Sequence, residues 1–302
     1  MRSMRSTALA LVLFVGPVLH AQPVRPAVTG AAADPLPGRV VDVAAGEFFF
    51  QAPDSIPAGL TTFRLRQIGL VHRRASMGGA ARDSGAADRG DQTRGFHMLW
   101  IVRLDSGKTM AEFYRAVRAR EPAPWARSVG GPGFAAPPRT SNATLVLAPG
   151  HYVLTCFVGS AREDRTRYHL LNGMFRALTV EPARTPAARA PVPEVVMRIS
   201  ESGTLHLSAP LMAGRRIVRV ENAGARDYEF AIRRVLPGRT TAEALAWRQR
   251  ERPTTAIPYE PWGGLADVPA GGSLITTITF EPGDYFVGFA DRIPFTVVSA
   301  RR

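Results

Sequence analysis

The sequence predicts an all-β protein of two β-sandwich domains in tandem, each with about one short helix. Three observations predict it. Short β-branched or aromatic runs bounded by Gly and Pro recur along the chain, among them TTFRLRQ, HMLWIVRL, ATLVLA, HYVLTCF and FRALTV. Phrases repeat in the same order in both halves: IPAGLTTFRLRQIG (56–69) with LMAGRRIVRVENAG (211–224), GKTMAEFYRA (107–116) with GRTTAEALAW (238–247), LVLAPGHYVLTCF (145–157) with ITFEPGDYFVGFA (278–290). Within the last pair, APGHY and EPGDY put Pro-Gly where a type II turn is expected.

Residues 1–21 read as a secretory signal. Arg2 and Arg5 open it, residues 8–19 are mostly apolar, and Ala21 offers a small cleavage point. That run is too short to span a bilayer, and no later segment is apolar enough to do so. Residues 38–181 form the first expected domain, with an insertion at 69–95 that is rich in Gly, Ala, Arg and Asp and expected to be a disordered surface loop. Its helix is expected near 109–120, opening on Thr109 with Glu112 at capping-box spacing. Residues 182–193 alternate Pro and Ala and read as a linker. Residues 194–302 form the second expected domain, with a helix near 240–250.

The formal charge is +13, or +11 without Arg2 and Arg5, and Lys108 is the only lysine. Wholesale replacement of Lys by Arg is what GC-rich coding produces. The arginines are scattered and not interleaved with aromatic residues, which argues against nucleic acid. A net basic surface favours an acidic partner.

Cys156 is the single cysteine, and an exported protein ordinarily uses cysteine in pairs. His169 and Met174 follow it in YVLTCFVGSAREDRTRYHLLNGMFRALTV, and His97 opens HMLWIVRL after the insertion. Thiolate, two imidazoles and a thioether suit copper in both its oxidation states. Each residue also has a plain reading: Cys156 and Met174 as core, His97 as a strand cap, His169 as an exposed loop residue. His151 lies five residues before Cys156 on the same strand, on the opposite face and too far to share an ion. His72 falls in the insertion and His206 in the second half.

PAGLTTFRLRQIG…FHMLWIVRL and LAPGHYVLTCFV…YHLLNGMFRALTV resemble segments of the cupredoxins, the plastocyanin and azurin superfamily. The resemblance implies two Greek-key sandwiches, with His97, Cys156 and His169 as equatorial ligands and Met174 as axial ligand of one type 1 copper per chain. It also implies that the imidazole of His169 reaches the surface through an apolar patch with Tyr168, Leu170 and Leu171. The sequence departs from the family in three respects: twelve residues separate Cys156 from His169, Met98 follows His97 where Asn is common, and the insertion precedes His97. The second half has Tyr228 and Gly288 or Phe289 where His97 and Cys156 stand in the first, so no copper is expected there.

The expected function is one-electron transfer by an exported copper protein, periplasmic or secreted, with a redox partner protein. It is not expected to be an enzyme, since a multicopper oxidase needs histidine pairs that this chain lacks. A Cys–His hydrolase would rest on Cys156 and His169 alone, without a base-orienting pattern. The alternative is a metal-free cupredoxin-like sandwich acting as a binding or structural module. SVGGPGFAAPP (128–138) lacks the lysine and strand-to-helix context of a phosphate cradle and reads as a flexible turn near the copper end.

Overall fold

The computed structural model describes residues 35–68, 96–162, 165–184, 188–249, 256–288 and 292–300. The expected signal segment and the 69–95 insertion lie outside them. All strands belong to one unit, residues 36–302.

In chain order the first half contains β1 (Arg39–Gly46), β2 (Phe49–Gln51), β3 (Ser55–Pro57), β4 (Gly59–Gln67), β5 (Trp100–Leu104), α1 (Met110–Ala119), β6 (Ala126–Ser128), β7 (Gly131–Pro132), β8 (Ser141–Leu147), β9 (Gly150–Thr155), β10 (Gly159–Arg162), β11 (Arg165–Tyr168) and β12 (Phe175–Glu181). The second half contains β13 (Val195–Ile199), β14 (Leu205–Leu207), β15 (Gly214–Asn222), β16 (Tyr228–Val235), α2 (Thr241–Gln249), β17 (Tyr259–Val268), β18 (Ser273–Phe280), β19 (Gly283–Val287) and β20 (Ile293–Val297). The chain is all-β, with one α-helix in each half among the described residues.

An eight-stranded sheet in the order β14-β13-β15-β18-β8-β4-β1-β2 runs through both halves. Two five-stranded sheets, β3-β12-β9-β5-β6 and β20-β19-β16-β17-β7, complete the layers. The pairings of the halves correspond. β1 runs parallel to β4 and β13 parallel to β15. β9 pairs antiparallel with β5 and β12, as β19 does with β16 and β20.

The Pro-Gly phrases turn a corner between sheets. APGHY carries the chain from β8 to β9, and the Tyr152 hydroxyl donates to the Ala148 carbonyl (2.8 Å). EPGDY repeats this, with Tyr285 donating to Glu281 (2.9 Å). Gly150 and Gly283 have φ of +149° and +140°, away from the value near +80° of a type II turn. The expected turn type is therefore corrected: the chain changes sheets here, which needs a more open bend. Thr109 caps α1 as expected, accepting from the Glu112 amide while the Glu112 carboxylate accepts from the Thr109 amide (2.9 Å).

One apolar cluster runs through both halves, from Phe63, Leu99 and Leu154 to Phe230, Leu265 and Val287. Strand β8 is buried at every position but Val146 and Ser141–Asn142–Thr144 are among its buried polar residues. It sits mid-sheet beside β18 with β17 packed against it. Asn142 joins the halves: its side-chain amide donates to the Thr277 carbonyl (2.7 Å) and its side-chain carbonyl accepts from the Thr277 amide (2.8 Å). A primary amide thus does the work of a peptide group between β8 and β18. Asn142→Ala should lower unfolding free energy by about 3 kcal/mol, because two buried backbone groups lose their partners. Urea denaturation measures it, and a loss below about 0.5 kcal/mol would show that the seam does not depend on this amide.

Candidate metal centre

The structure gathers three of the four sequence-predicted residues at one end of the first half's sandwich. The ligand atoms of His97, Cys156 and His169 all lie within 4.8 Å of one another, and all three residues are 0% exposed. Nδ1 of His97 is 3.1 Å from Nδ1 of His169, which is 3.6 Å from Sγ of Cys156.

The loop between β9 and β12 builds most of this. Thr155 faces Phe175 in the β9–β12 ladder, so Cys156 and Met174 leave the sheet side by side, and the Cys156 amide donates to the Met174 carbonyl (3.2 Å). The twelve intervening residues do not form a wide loop. Strands β10 and β11 fold out as a ladder in which Gly159 faces Tyr168. Its base brings the chain back at once: the amides of His169 and Leu170 donate to the carbonyls of Val158 (2.9 Å) and Cys156 (3.0 Å). A 3-10 turn, His169–Asn172, follows and ends at Gly173 with φ of +104°, where any side chain would be strained. The Met174 amide then donates to the His169 carbonyl (3.1 Å). Met174 is 0% exposed and shares an apolar cluster with Cys156.

His97 arrives from the other side. Trp100 faces Thr155, so the segment before β5 passes over the same sheet end. His97 lies three residues before β5 and not at its first position, because its backbone is held by other groups: the Gln67 side-chain amide donates to its carbonyl (2.8 Å).

Phe48 is the residue that sequence reasoning missed. It sits in the β1–β2 turn with φ of +59°, a left-handed conformation unusual for an aromatic residue. Its half-buried ring stands edge-on to His169 (5.0 Å between centroids) and to His97 (6.4 Å). The only signal in the sequence is Gly-Glu before three consecutive Phe, which announces a turn but not its contact.

Burial pushes the Cys156 thiol up to about 12, against the backbone N–H groups of Met98 and Val158 that point at the sulfur. Those donors favour a negative sulfur once a cation is present to offset desolvation. The residues fit a metal ion. Two nitrogens 3.1 Å apart can both stand about 2 Å from one ion. Nδ1 of His169 carries either one proton or one lone pair, yet it faces both a nitrogen and a sulfur. A cation held by these atoms would take one lone pair from each of them.

The other histidines are elsewhere. His151 and His206 are exposed on β9 and β14, and His72 lies outside the described residues. At the corresponding place in the second half, Tyr228 opens β16 and Gly288 follows β19. A Cβ on Gly288 would lie 2.5 Å from the Tyr228 hydroxyl, so a phenol fills that space. The expected surface exit through His169 is corrected. His169 and Leu170 are fully buried, because the 3-10 turn tucks them under the β1–β2 turn and α1, while Tyr168 is 42% exposed.

No protein-family model matches the chain, and no curated protein does. Among solved structures, auracyanin from Roseiflexus castenholzii is 15% identical, with 47% of this chain and 97% of that one covered and a TM-score of 0.27. Auracyanin A, a blue copper protein of Chloroflexus aurantiacus, is 17% identical over 47% of this chain and 98% of its own, also at 0.27. Copper nitrite reductase from Nitrosomonas europaea is 13% identical over 87% and 94%, at 0.22. At such values the centre has to be read from its own side chains.

Two outcomes follow for the metal-free protein. Phe48→Ala should expose the imidazole pair, so His169 should react with diethylpyrocarbonate roughly tenfold faster, as mass spectrometry would show (a rate tracking an opening free energy of about 1.4 kcal/mol). An unchanged rate would mean that Phe48 is not the cover. The second concerns pH. The folded thiol titrates near 12 and the unfolded one near 9, so the folded state keeps its proton longer. Its stability is full below pH 9 and falls by about 1.4 kcal/mol per unit between those values. Cys156→Ala should therefore gain on wild type over that window, and parallel stability curves would refute the shift.

Proposed function

We propose that this chain is an exported cupredoxin-like protein of two tandem domains, 38–181 and 194–302 joined by 182–193, and that the first holds one copper ion for one-electron transfer. The observation that carries the reading is the fully buried convergence of His97, Cys156 and His169. These three would hold the ion, with the Met174 thioether as a weaker fourth donor. Bound copper supplies a reversible one-electron change, and this donor set suits both of its oxidation states.

The chain's own residues do the rest. Cys156 gives up its proton on binding, and the amides of Met98 and Val158 stabilise the sulfur's charge. Gln67 and the amides of the 3-10 turn hold the imidazoles at fixed separation. Phe48 keeps water off them. A fully buried centre favours electron transfer over turnover, and retention of the metal over its delivery. The partner is a redox protein, an acidic one by the basic balance of the chain. Export rests on the signal segment at 1–21. Among the described residues no helix is long and apolar enough to cross a membrane.

The alternative keeps its own observation: Cys156 and Met174 belong to the main apolar cluster, as inert core residues would. Visible absorption after addition of Cu(II) separates the two. Wild type should turn intensely blue or green, Cys156→Ser should stay colourless, and Met174→Leu should keep the colour at a higher potential. Wild-type protein that stays colourless and binds no copper would leave the metal-free module standing.

A further inference from the structure

We propose that residues 195–297, which contribute no ligand among the described residues, position His97 through β7; this rests on the copper reading above. The segment leaving His97 is bonded to the strap around β7. The amides of Leu99 and Ile101 donate to the carbonyls of Pro132 (3.0 Å) and Gly130 (2.9 Å), and the Val129 amide donates to Ile101 (2.8 Å). The other edge of the same strap belongs to the second half. Pro132 faces Leu265 and Gly131 faces Asp267 in the β7–β17 pairing, and the Gly133 amide donates to the Gly264 carbonyl (2.9 Å). One short peptide therefore lies between the His97 segment and β17, bonded to both.

The fit leaves no slack. A Cβ on Gly131 would stand 1.9 Å from the Leu99 carbonyl oxygen, two residues from His97. A Cβ on Gly130 would stand 2.2 Å from Cδ1 of Leu274, a β18 side chain that presses on the strap from the second half. Phe134 packs on Phe96 (4.1 Å between centroids) and clusters with Met98 and Ala266, so both neighbours of His97 touch this layer. SVGGPGFAAPP, expected as a flexible turn, is a strap held on both edges. Gly131 and Gly133 are there because backbone must meet backbone, and Gly130 because Leu274 fills the space beside it. Through it the second half acts as a backing plate, and His97 cannot move without moving β17 or breaking these bonds.

The test uses the full chain. Leu274→Ala removes the side chain behind Gly130, and Gly131→Ala forces the strap off Leu99. Ile199→Ala is the control, a buried aliphatic truncation at β13, toward the far side of the shared sheet. Loss of copper from the loaded protein to a chelator should be roughly tenfold faster in Leu274→Ala and Gly131→Ala, the scale of a lost support behind a metal ligand, and unchanged in Ile199→Ala. In metal-free protein the His97 ring resonances should move in the first two and stay in the third. Equal effects of Leu274→Ala and Ile199→Ala, or no effect of either on the His97 resonances, would overturn the proposal. Absence of copper binding in wild type would instead overturn the function proposed above, and the metal-free resonances would still decide the role of the strap.

Discussion

Three polar side chains meet here out of reach of bulk solvent. A thiol and two imidazoles at zero exposure need partners inside the fold, because an unpaired polar group in the interior costs several kcal/mol, and they stand within reach of one another. The surrounding structure answers to that constraint. The amides of residues 169, 170 and 174 tie the closing loop to itself, Gly173 permits its tight exit, and Gln67 fixes the approach of His97. Phe48 accepts a strained backbone to bring its ring over the pair, and strain of this sort persists where a site over-determines it.

The halves are bound by more than a shared apolar cluster. Asn142 stitches β8 to β18 with side-chain hydrogen bonds, and the strap at 130–133 serves two sheets. Arg139 adds a third link: its guanidinium lies 3.9 Å from the centre of the Trp262 ring and pairs with Glu260. Arg234 approaches the same ring at 5.0 Å. Two arginines of a strongly basic chain are thus occupied at one tryptophan, where a planar, weakly hydrated guanidinium can stack and pair at once. The charge balance is in part architectural.

What the sequence shows and hides follows from what each residue contributes. The repeated Pro-Gly-x-Tyr phrase was legible because Tyr152 and Tyr285 act through side chains, each closing its own corner four residues back. Thr109 and Glu112 were legible for the same reason. The order Cys156, His169, Met174 pointed to a common site because strand pairing must return the chain there. The strap at β7 was not legible, since glycines that matter for close backbone approach look the same as glycines in a loose turn. Phe48 hid among three consecutive Phe that gave no hint of a left-handed residue. The burial of His169 was missed because the resemblance implied a histidine that reaches the surface, whereas here the ends of the long spacer pair at Gly159 and Tyr168 and return the chain inward.

That pairing has a consequence for how such a centre can change over generations. The paired residues beyond the Gly159–Tyr168 rung, 160–162 and 165–167, are an appendix to the loop and not part of its circumference. Lengthening or shortening the arm by matched residues on β10 and β11 leaves the His169–Val158 and Leu170–Cys156 bonds at its root untouched. The arm can therefore drift in sequence and size, acquiring or shedding recognition features, while the distance between sulfur and imidazole is inherited intact.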